Sequence, residues 1–362
     1  MNDHARAASS ARPASHRAVR AWLWQAPLLV LLLWLCWHVL DWGLLKAVFR
    51  PDVEACRALE HHGACWGVVT EKWRWWLFGR YPEEAHWRPA VTLLLWAAAL
   101  ALLIVPAWRG RLGSTSARLS IAASLPLWLL GLALLAGGWA GMAPVESRVW
   151  GGLPLTVLLT VTSLALSMPL AVVLAWARLS RHSWVSWPAA AVIEVVRGAP
   201  LVMWLFMAAF LLPAVLPASW GVGPVGRVLM VTVVFSAAYA AETLRGSLRV
   251  VAGEQAQAAH VLGAGWWASQ RLVILPQAFR TALPSLANHS IGVLKDTSLV
   301  MIVSLQELTG AMSVSLNGDP EWRPFFLEAY LVIAVVYALM CMGVSALGRR
   351  LEQQYPALGY RQ

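Results

Sequence analysis

Long stretches without charged side chains alternate along the chain with shorter segments that contain arginine. A helix needs about 20 predominantly apolar residues to cross the hydrocarbon core of a bilayer, so each long stretch predicts a membrane span. The pattern predicts an all-α membrane protein with about eight transmembrane helices. They lie at residues 24–45, 89–108, 119–141, 152–177, 190–213, 226–243, 284–305 and 326–348.

The composition agrees with a membrane protein. Of the 362 residues, 59% are hydrophobic and 13% are charged, whereas about 25% of the residues in a soluble domain are charged. The first span is longer than the apolar region of a usual secretory signal, and no small-residue cleavage site follows it. We therefore expect it to remain as a membrane anchor.

The arginines predict the orientation of the chain. Cytoplasmic loops carry an excess of Lys and Arg, and arginines cluster at the amino terminus, after the second, fourth and sixth spans, and at the carboxyl terminus. We expect both termini to be cytoplasmic, although the external loop 46–88 also contains basic residues. The net charge of +10 is spread over these segments, so it predicts contact with membrane lipid and not with nucleic acid.

Two of the four cysteines, Cys56 and Cys65, share the external loop 46–88. An oxidising periplasm would permit a disulfide between them. The stretch Cys56-x4-His61-His62-x2-Cys65 is alternatively compatible with a metal site, or the side chains are free. The sequence leaves these three states open, and no other metal site is expected.

The chain changes character near residue 149. Residues 1–148 hold three spans and the large external loop, whereas residues 149–362 contain charged side chains in or near the spans and a long inner loop, residues 244–283. The loop predicts a short helix, a turn at Gly263 and a second helix that Pro276 interrupts. Such a helix fits either a groove on a partner protein or the lipid surface.

Three charged pairs lie in or beside the predicted spans. Glu194 with Arg197, and Glu242 with Arg245, are three residues apart, a spacing that brings side chains together on one helix face. We expect these pairs to order helix ends. Lys295 and Asp296 interrupt the seventh span, where ionisable groups are costly unless they are paired or face water. They predict a structural or gating ion pair along a substrate path, or a pair near the inner interface with Lys295 reaching lipid headgroups.

The chain lacks the motifs that would make it an enzyme. It has only three lysines, and none follows a glycine, so the Gly-Lys-Ser/Thr segment of a P-loop is missing. No zinc-protease or nucleophile-elbow motif occurs either. An ATP-driven process involving this chain therefore needs a separate ATPase, and no cofactor is expected on the chain itself.

The inner loop contains the motif Gln257-Ala258-Ala259-x3-Gly263-x9-Val273-x-Leu275-Pro276. This motif resembles the coupling loop of ABC importer permeases. Gln257 stands where the family has Glu, and Val273 stands where it has Ile. Four further segments resemble permeases for polar amino acids, and with the amino-terminal extension the chain is most similar to the longer permease of a general L-amino acid importer. These segments are residues 194–201, 238–246, 294–299 and 307–309.

The resemblance implies a type I importer permease core of five helices, preceded here by three additional helices. It further implies a bacterial inner membrane location and three partners: an ATP-binding subunit that binds the ATP, a second homologous permease, and a periplasmic amino-acid-binding protein. A secondary transporter driven by an ion gradient is the alternative, but it predicts two symmetric halves with broken helices. A membrane-anchored enzyme or scaffold would need a larger soluble segment than the chain offers.

Overall fold

The computed structural model describes residues 14–59, 62–110 and 114–356, and these residues are almost entirely helical, with two isolated β-bridges. The all-α class is confirmed. The helices are α1 (Ala14–Leu40), α2 (Val53–Arg57), α3 (Gly67–Phe78), α4 (Trp87–Trp108), α5 (Thr115–Ala136), α6 (Gly152–Arg178), α7 (Ser183–Gly198), α8 (Leu201–Phe206), α9 (Leu212–Val215), α10 (Pro224–Val261), α11 (Trp266–Ala268), α12 (Leu275–Asp296), α13 (Leu308–Asn317) and α14 (Phe326–Gln354).

The chain divides into two compact units, Met1–Glu71 and Lys72–Gln362. The predicted division between residues 148 and 149 rests on composition and stays a prediction. In the second unit, α4 packs mainly on α5, and α6 packs mainly on α10, while α12 lies against both α10 and α14.

Six helical segments within the described ranges are long and apolar enough to cross a membrane. They correspond to predicted spans one to four, six and eight, and their bounds are Gln25–Leu45, Glu83–Trp108, Thr115–Ala136, Gly152–Arg178, Pro224–Gly253 and Arg323–Gln354.

The fifth predicted span, residues 190–213, is broken. Ser183–Gly198 and Leu201–Val215 meet at an angle of 101°, and together they count as a seventh candidate span. Between them, Ala199 is extended, with φ −115° and ψ 144°. Proline disfavours helical backbone at the residue before it, and Pro200 follows directly. A single residue, Pro200, therefore accounts for the bend in terms of the sequence.

The sixth and seventh predicted spans also differ from expectation. Helix α10 continues from Pro224 to Val261, so the short separate helix predicted within the inner loop is instead the end of a helix about 57 Å long. The seventh predicted span, residues 284–305, comprises the end of α12 and a 3₁₀ segment, Thr297–Val303. It is not among the six apolar candidates because α12 carries a polar face that packs inside the helical bundle.

The first unit contains Cys56 and Cys65, the cysteines of the loop that is predicted to be external. Cys56 and Cys65 are joined by a disulfide with a Cα–Cα distance of 5.4 Å, and both residues are buried. A β-bridge pairs Val48 with Cys65, and Trp66 Nε1 donates to the carbonyl of Gly43 at 2.7 Å. The disulfide and these two contacts hold the residues that follow α1 in a compact fold. His61, part of the alternative metal site, lies outside the described residues.

Helices α4 and α5 form a closely packed hairpin. Trp96 is fully buried and stacks on Trp128 with 4.4 Å between ring centroids, and its Nε1 donates to the Trp128 carbonyl at 3.0 Å. The indole fits only because residue 131 is glycine, since a Cβ there would lie 2.4 Å from Trp96 Nε1.

Arg88 lies at the end of this hairpin where α4 begins and α5 ends. The sequence places it in the external loop, but it is only 3% exposed. Its guanidinium donates to the carbonyls of Leu134 at 2.8 Å, Leu135 at 3.2 Å and Ala143 at 3.0 Å. The last carbonyls of a helix have no partner within the helix, so Arg88 supplies the donors that the end of α5 lacks.

Glu307 joins α6, α13 and α14. This carboxylate is fully buried and accepts hydrogen bonds from the backbone N–H groups of Thr309 and Gly310, both at 2.9 Å. It also accepts from the Thr156 hydroxyl at 3.3 Å and from the Tyr337 hydroxyl at 2.6 Å. All four donors are uncharged groups, so Glu307 acts as an N-terminal cap of α13 with two side-chain supports.

Replacing Gly131 with valine is expected to loosen the α4–α5 hairpin. The added side chain must displace the Trp96 indole, and overpacking of this kind costs about 1–3 kcal/mol. Thermal unfolding of the detergent-solubilised protein should therefore shift to lower temperature. Gly343→Val is the matched control, because Gly343 lies in α14 with open space around its Cα. An equal shift in both variants would contradict the packing role.

The cysteines give a second prediction. A maleimide-linked polymer added to the denatured, unreduced protein should label Cys36 and Cys341, which are free thiols, and should label Cys56 and Cys65 only after reduction. The measurement is the step in gel mobility before and after reduction. The Cys56→Ser variant should gain one accessible thiol without reduction, and labelling of all four cysteines in the unreduced protein would contradict the disulfide.

Candidate functional site

The most exposed apolar surface outside the candidate spans lies where α10 ends and the chain turns toward α12. We call residues 257–276 the coupling tip. Val261 and Leu262 are 85% and 86% exposed, and Trp267 and Leu272 are also largely exposed. Clustered apolar side chains on a soluble surface mark an interaction site. The exposed apolar side chains of the tip are therefore typical of an interaction site.

A Schellman turn at Gly263 gives the tip its shape. Gly263 has φ +78°, a left-handed conformation that costs little only for glycine. Its N–H donates to the carbonyl of His260 at 2.9 Å, and the N–H of Ala264 donates to the carbonyl of Ala259 at 3.0 Å. These are the two hydrogen bonds that define the motif. Gly263 thus ends α10 and reverses the chain, as the sequence predicts.

A few contacts fix the tip to the helical bundle. Ala259 and Ile274 are buried, and Trp176, in the last turns of α6, donates from Nε1 to Gln270 Oε1 at 3.0 Å. The Trp176 ring also lies 5.8 Å from Trp266 and 6.1 Å from Trp267, measured between centroids. The inner side of the tip is therefore held, while its outer side stays open.

Pro276 does not interrupt the second helix of the loop, contrary to the prediction. Helix α11 passes through a π-helical segment, Ser269–Ile274, directly into α12. Proline removes one helical hydrogen bond and its ring crowds the carbonyl four residues earlier. The wider π turn just before Leu275 gives the ring room, so Val273, Leu275 and Pro276 lie on one continuous helical path.

Gln257 and Ala258 point away from the bundle and are exposed. Ala259 faces inward. The two exposed positions lie one turn before the Gly263 turn and belong to the same open surface. Gln257 offers an amide there, which can donate and accept hydrogen bonds but carries no charge.

Of the two pairs predicted from a spacing of three residues, one forms and the other does not. Arg245 donates two hydrogen bonds to the Glu242 carboxylate. Glu194, however, pairs with Arg178 of α6 at 2.9 Å, and the Arg197 guanidinium lies over the ring of Tyr239 at 5.3 Å. The predicted Glu194–Arg197 contact is thus wrong. Glu194 finds its partner on another helix, and Arg197 packs on an aromatic ring. Spacing within one helix predicts neither contact.

Lys295 and Asp296 do not form an ion pair in the described part of the chain. Consecutive side chains on a helix point about 100° apart, and these two face different cavities. Asp296 faces a small cavity that it shares with Ser163 and Thr232, whereas Lys295 lies in a groove beside α14. Lys295 is 20 residues beyond Leu275, about 30 Å along the helix from the coupling tip, so it lies at the opposite end of α12 from the tip.

A ladder of polar side chains between α6, α10 and α12 was not expected. Ser163 and Thr232 are 2.8 Å apart, and Ser236 contacts Ser167 at 3.0 Å and His289 Nε2 at 2.9 Å. The signal was present, because the hydroxyls recur four residues apart on both α6 and α10 and so share one face of each helix. Hydroxyl and imidazole groups inside a bundle hydrogen-bond across helices. No cluster suited to holding a metal ion occurs among the described residues.

Comparison with known proteins agrees with the resemblance of the inner loop to ABC importer permeases. A family described as "Binding-protein-dependent transport system inner membrane component" matches residues 167–355. The inner membrane amino-acid ABC transporter permease protein YhdY of Escherichia coli (strain K12) is 33% identical, with 95% of each chain covered. The glutamate/glutamine/aspartate/asparagine transport system permease protein BztC of Rhodobacter capsulatus is 30% identical, with 89% of this chain and 87% of the relative covered.

A crystal structure of an amino acid ABC transporter with histidines is 28% identical, with a TM-score of 0.48, and covers 56% of this chain and 92% of that chain. The family match extends over the coupling tip and the helices that carry it, and the relatives extend the similarity to the amino-terminal helices. This chain belongs to the family of inner membrane components of binding-protein-dependent transport systems.

Proposed function

We propose that the chain is a permease subunit of an ATP-driven amino-acid importer and that the coupling tip docks on a separate ATP-binding subunit. The observation that carries the proposal is the tip itself: exposed apolar side chains at the end of a 38-residue helix. The hydrocarbon core is only about 30 Å thick, and α10 is about 57 Å long. Helix α10 is thus longer than the hydrocarbon core requires, which supports a tip that extends beyond the hydrocarbon and is covered by a partner protein and not by the lipid surface.

The chemistry of the tip suits a protein groove. The largest binding contributions in protein interfaces come from buried aromatic and aliphatic anchors. Val261, Leu262 and Trp267 are such groups, and the Gly263 turn presents them on a rigid backbone. Arg271 is the only Lys, Arg, Asp or Glu in residues 257–276, and Gln257 stands where related loops have an acid. We infer an ATPase surface that is mainly apolar at its centre.

The remaining partners follow from the family and from the relatives. We propose a second homologous permease that completes the translocation path and a periplasmic protein that delivers amino acids, since both near relatives are named as amino-acid permeases. The distribution of arginines supports cytoplasmic termini and a cytoplasmic tip in the bacterial inner membrane. ATP binds to the partner subunit, because this sequence has no P-loop. Family membership leaves the ion-gradient alternative without support.

Changing the Gly263 turn tests the docking proposal. Gly263→Val should abolish co-purification of the ATP-binding subunit, because a β-branched residue is strongly disfavoured at φ +78°. Gly263→Asn should retain more of the ATP-binding subunit than Gly263→Val, since asparagine tolerates the left-handed region better than other non-glycine residues. The measurement is the amount of ATPase subunit recovered with the tagged permease from membranes.

Gly253→Val is the matched control. Gly253 lies in α10 with no atom near a substituted Cβ and without a positive φ, so this variant should keep the ATPase. Membrane insertion should be equal in all three variants. If Gly263→Val still co-purifies with the ATPase and still supports ATP-dependent uptake, the docking assignment is wrong.

A further inference from the structure

Two exposed arginines, Arg109 and Arg350, lie beside Trp108 where the ends of α4 and α14 meet. Arg350 Nε donates to the carbonyl of Trp108 at 3.4 Å, and this carbonyl belongs to the peptide bond that joins Trp108 to Arg109. The Arg350 guanidinium also lies 5.9 Å from the centre of the Trp108 ring. We call these three residues the arginine corner. The proposed docking on an ATPase does not use it.

No acidic side chain neutralises the arginine corner within the part of the chain that the structure describes. Glu352 is the nearest acid in the sequence, but it follows Arg350 by two residues and so points about 200° away around the helix. The Gln354 amide donates to the Trp108 carbonyl at 2.5 Å, so this carbonyl at the negative end of α4 is already covered. The two terminal nitrogens of Arg350 form no hydrogen bond with the described residues. They remain available to an anion.

The arginine corner lies at the depth of lipid headgroups. The candidate span Glu83–Trp108 ends at Trp108, and Arg109 follows it directly. Tryptophan is enriched at membrane–water interfaces, and Trp108 is 44% exposed. Arg350 lies in the last turns of the candidate span Arg323–Gln354, which is about 48 Å long whereas the hydrocarbon core is about 30 Å thick. Both guanidinium groups can therefore reach a phosphate at the interface.

An apolar surface continues from the arginine corner into the hydrocarbon. Ala101, Val105 and Trp108 are exposed, and their spacing of four and three residues places them on one face of α4. No Asp, Glu, Lys or Arg occurs in residues 89–108. A free phosphate would contact only the arginines, whereas a phospholipid covers both the arginines and this apolar face. The apolar face therefore favours a lipid, and the two positive charges favour an anionic headgroup.

We propose that the arginine corner binds the phosphate of an anionic phospholipid in the cytoplasmic leaflet. The inference uses the orientation given under the proposed function, but neither its substrate nor its ATPase. The planar guanidinium of Arg350 can donate two parallel hydrogen bonds to one phosphate, and Arg109 supplies a second charge. Because Arg109 follows α4 and Arg350 belongs to α14, the lipid connects the hairpin of α4 and α5 with the carboxyl-terminal helix.

The test uses the full chain with the subunits that co-purify with it, in a neutral detergent. Native mass spectrometry measures the binding constant of added phosphatidylglycerol, and phosphatidylcholine is the zwitterionic comparison. Wild type should bind phosphatidylglycerol more tightly than phosphatidylcholine. Arg109→Gln and Arg350→Gln should each weaken phosphatidylglycerol binding about fivefold, which corresponds to about 1 kcal/mol. Arg350→Lys should weaken it less, because lysine keeps the charge.

Two variants are matched controls. Arg181→Gln removes the same charge at an exposed position outside the arginine corner. Gln354→Ala removes the other hydrogen bond between α14 and the Trp108 carbonyl and leaves the charge unchanged, so it separates lipid binding from the contact between the helices. Both variants should bind phosphatidylglycerol as tightly as wild type does.

Four results would overturn the lipid site. They are equal binding of the two lipids by wild type, unchanged phosphatidylglycerol binding when both arginines are replaced, a loss in either control as large as in the arginine variants, and displacement of phosphatidylglycerol by excess inorganic phosphate. The last result identifies a soluble anion as the ligand. None of them bears on the proposed function, which loss of the ATPase in Gly263→Val tests separately.

Discussion

Helix ends and breaks inside a bilayer must find hydrogen-bond partners within the protein, because hydrocarbon offers none. Charged side chains that are buried or partly buried meet this need at three places. Arg88 donates to the last carbonyls of α5, Glu307 accepts from the first N–H groups of α13, and Arg227 donates to the carbonyls of Ala208 and Val222 beside the broken fifth span. None of the three uses an opposite charge there. Each instead forms hydrogen bonds with backbone groups that lack a helical partner. The helices can therefore end or break at these positions.

The same constraint explains the irregular helices. Pro200 separates α7 from α8 with a 101° bend, and Arg227 supplies donors to the π-helical segment that follows α8. Near the tip, a second π-helical segment lets Pro276 remain in a continuous helix. Breaks are thus placed where a side chain or a wider turn compensates the lost hydrogen bond. Elsewhere the helices are uninterrupted, and the clearest case is α10, which continues from Pro224 to Val261 in the coupling tip.

Sequence patterns predicted the features that depend on local chemistry. Apolar runs located α4, α5, α6 and α14, and the position of Gly263 predicted a turn whose φ of +78° glycine alone adopts easily. Features that depend on a neighbouring helix were missed. Glu194 pairs with Arg178 because α6 packs beside α7, and Arg88 is buried because the end of α5 lies beside it. The separation of Lys295 from Asp296 was in principle predictable, since adjacent residues on a helix face different directions.

Helix α12 connects the coupling tip with the opposite end of the helical bundle. It continues from the coupling tip through the π-helical segment, and it ends beside Lys295 about 30 Å away. A helix held by backbone hydrogen bonds moves largely as one piece, so a rotation imposed at the tip changes the position of Lys295 relative to Tyr337 on α14. Tyr337 cannot follow freely, because Glu307 anchors it to α13 and α6. Helix α12 therefore connects the coupling tip directly with the region where Glu307 and Tyr337 hold α13 and α14 together.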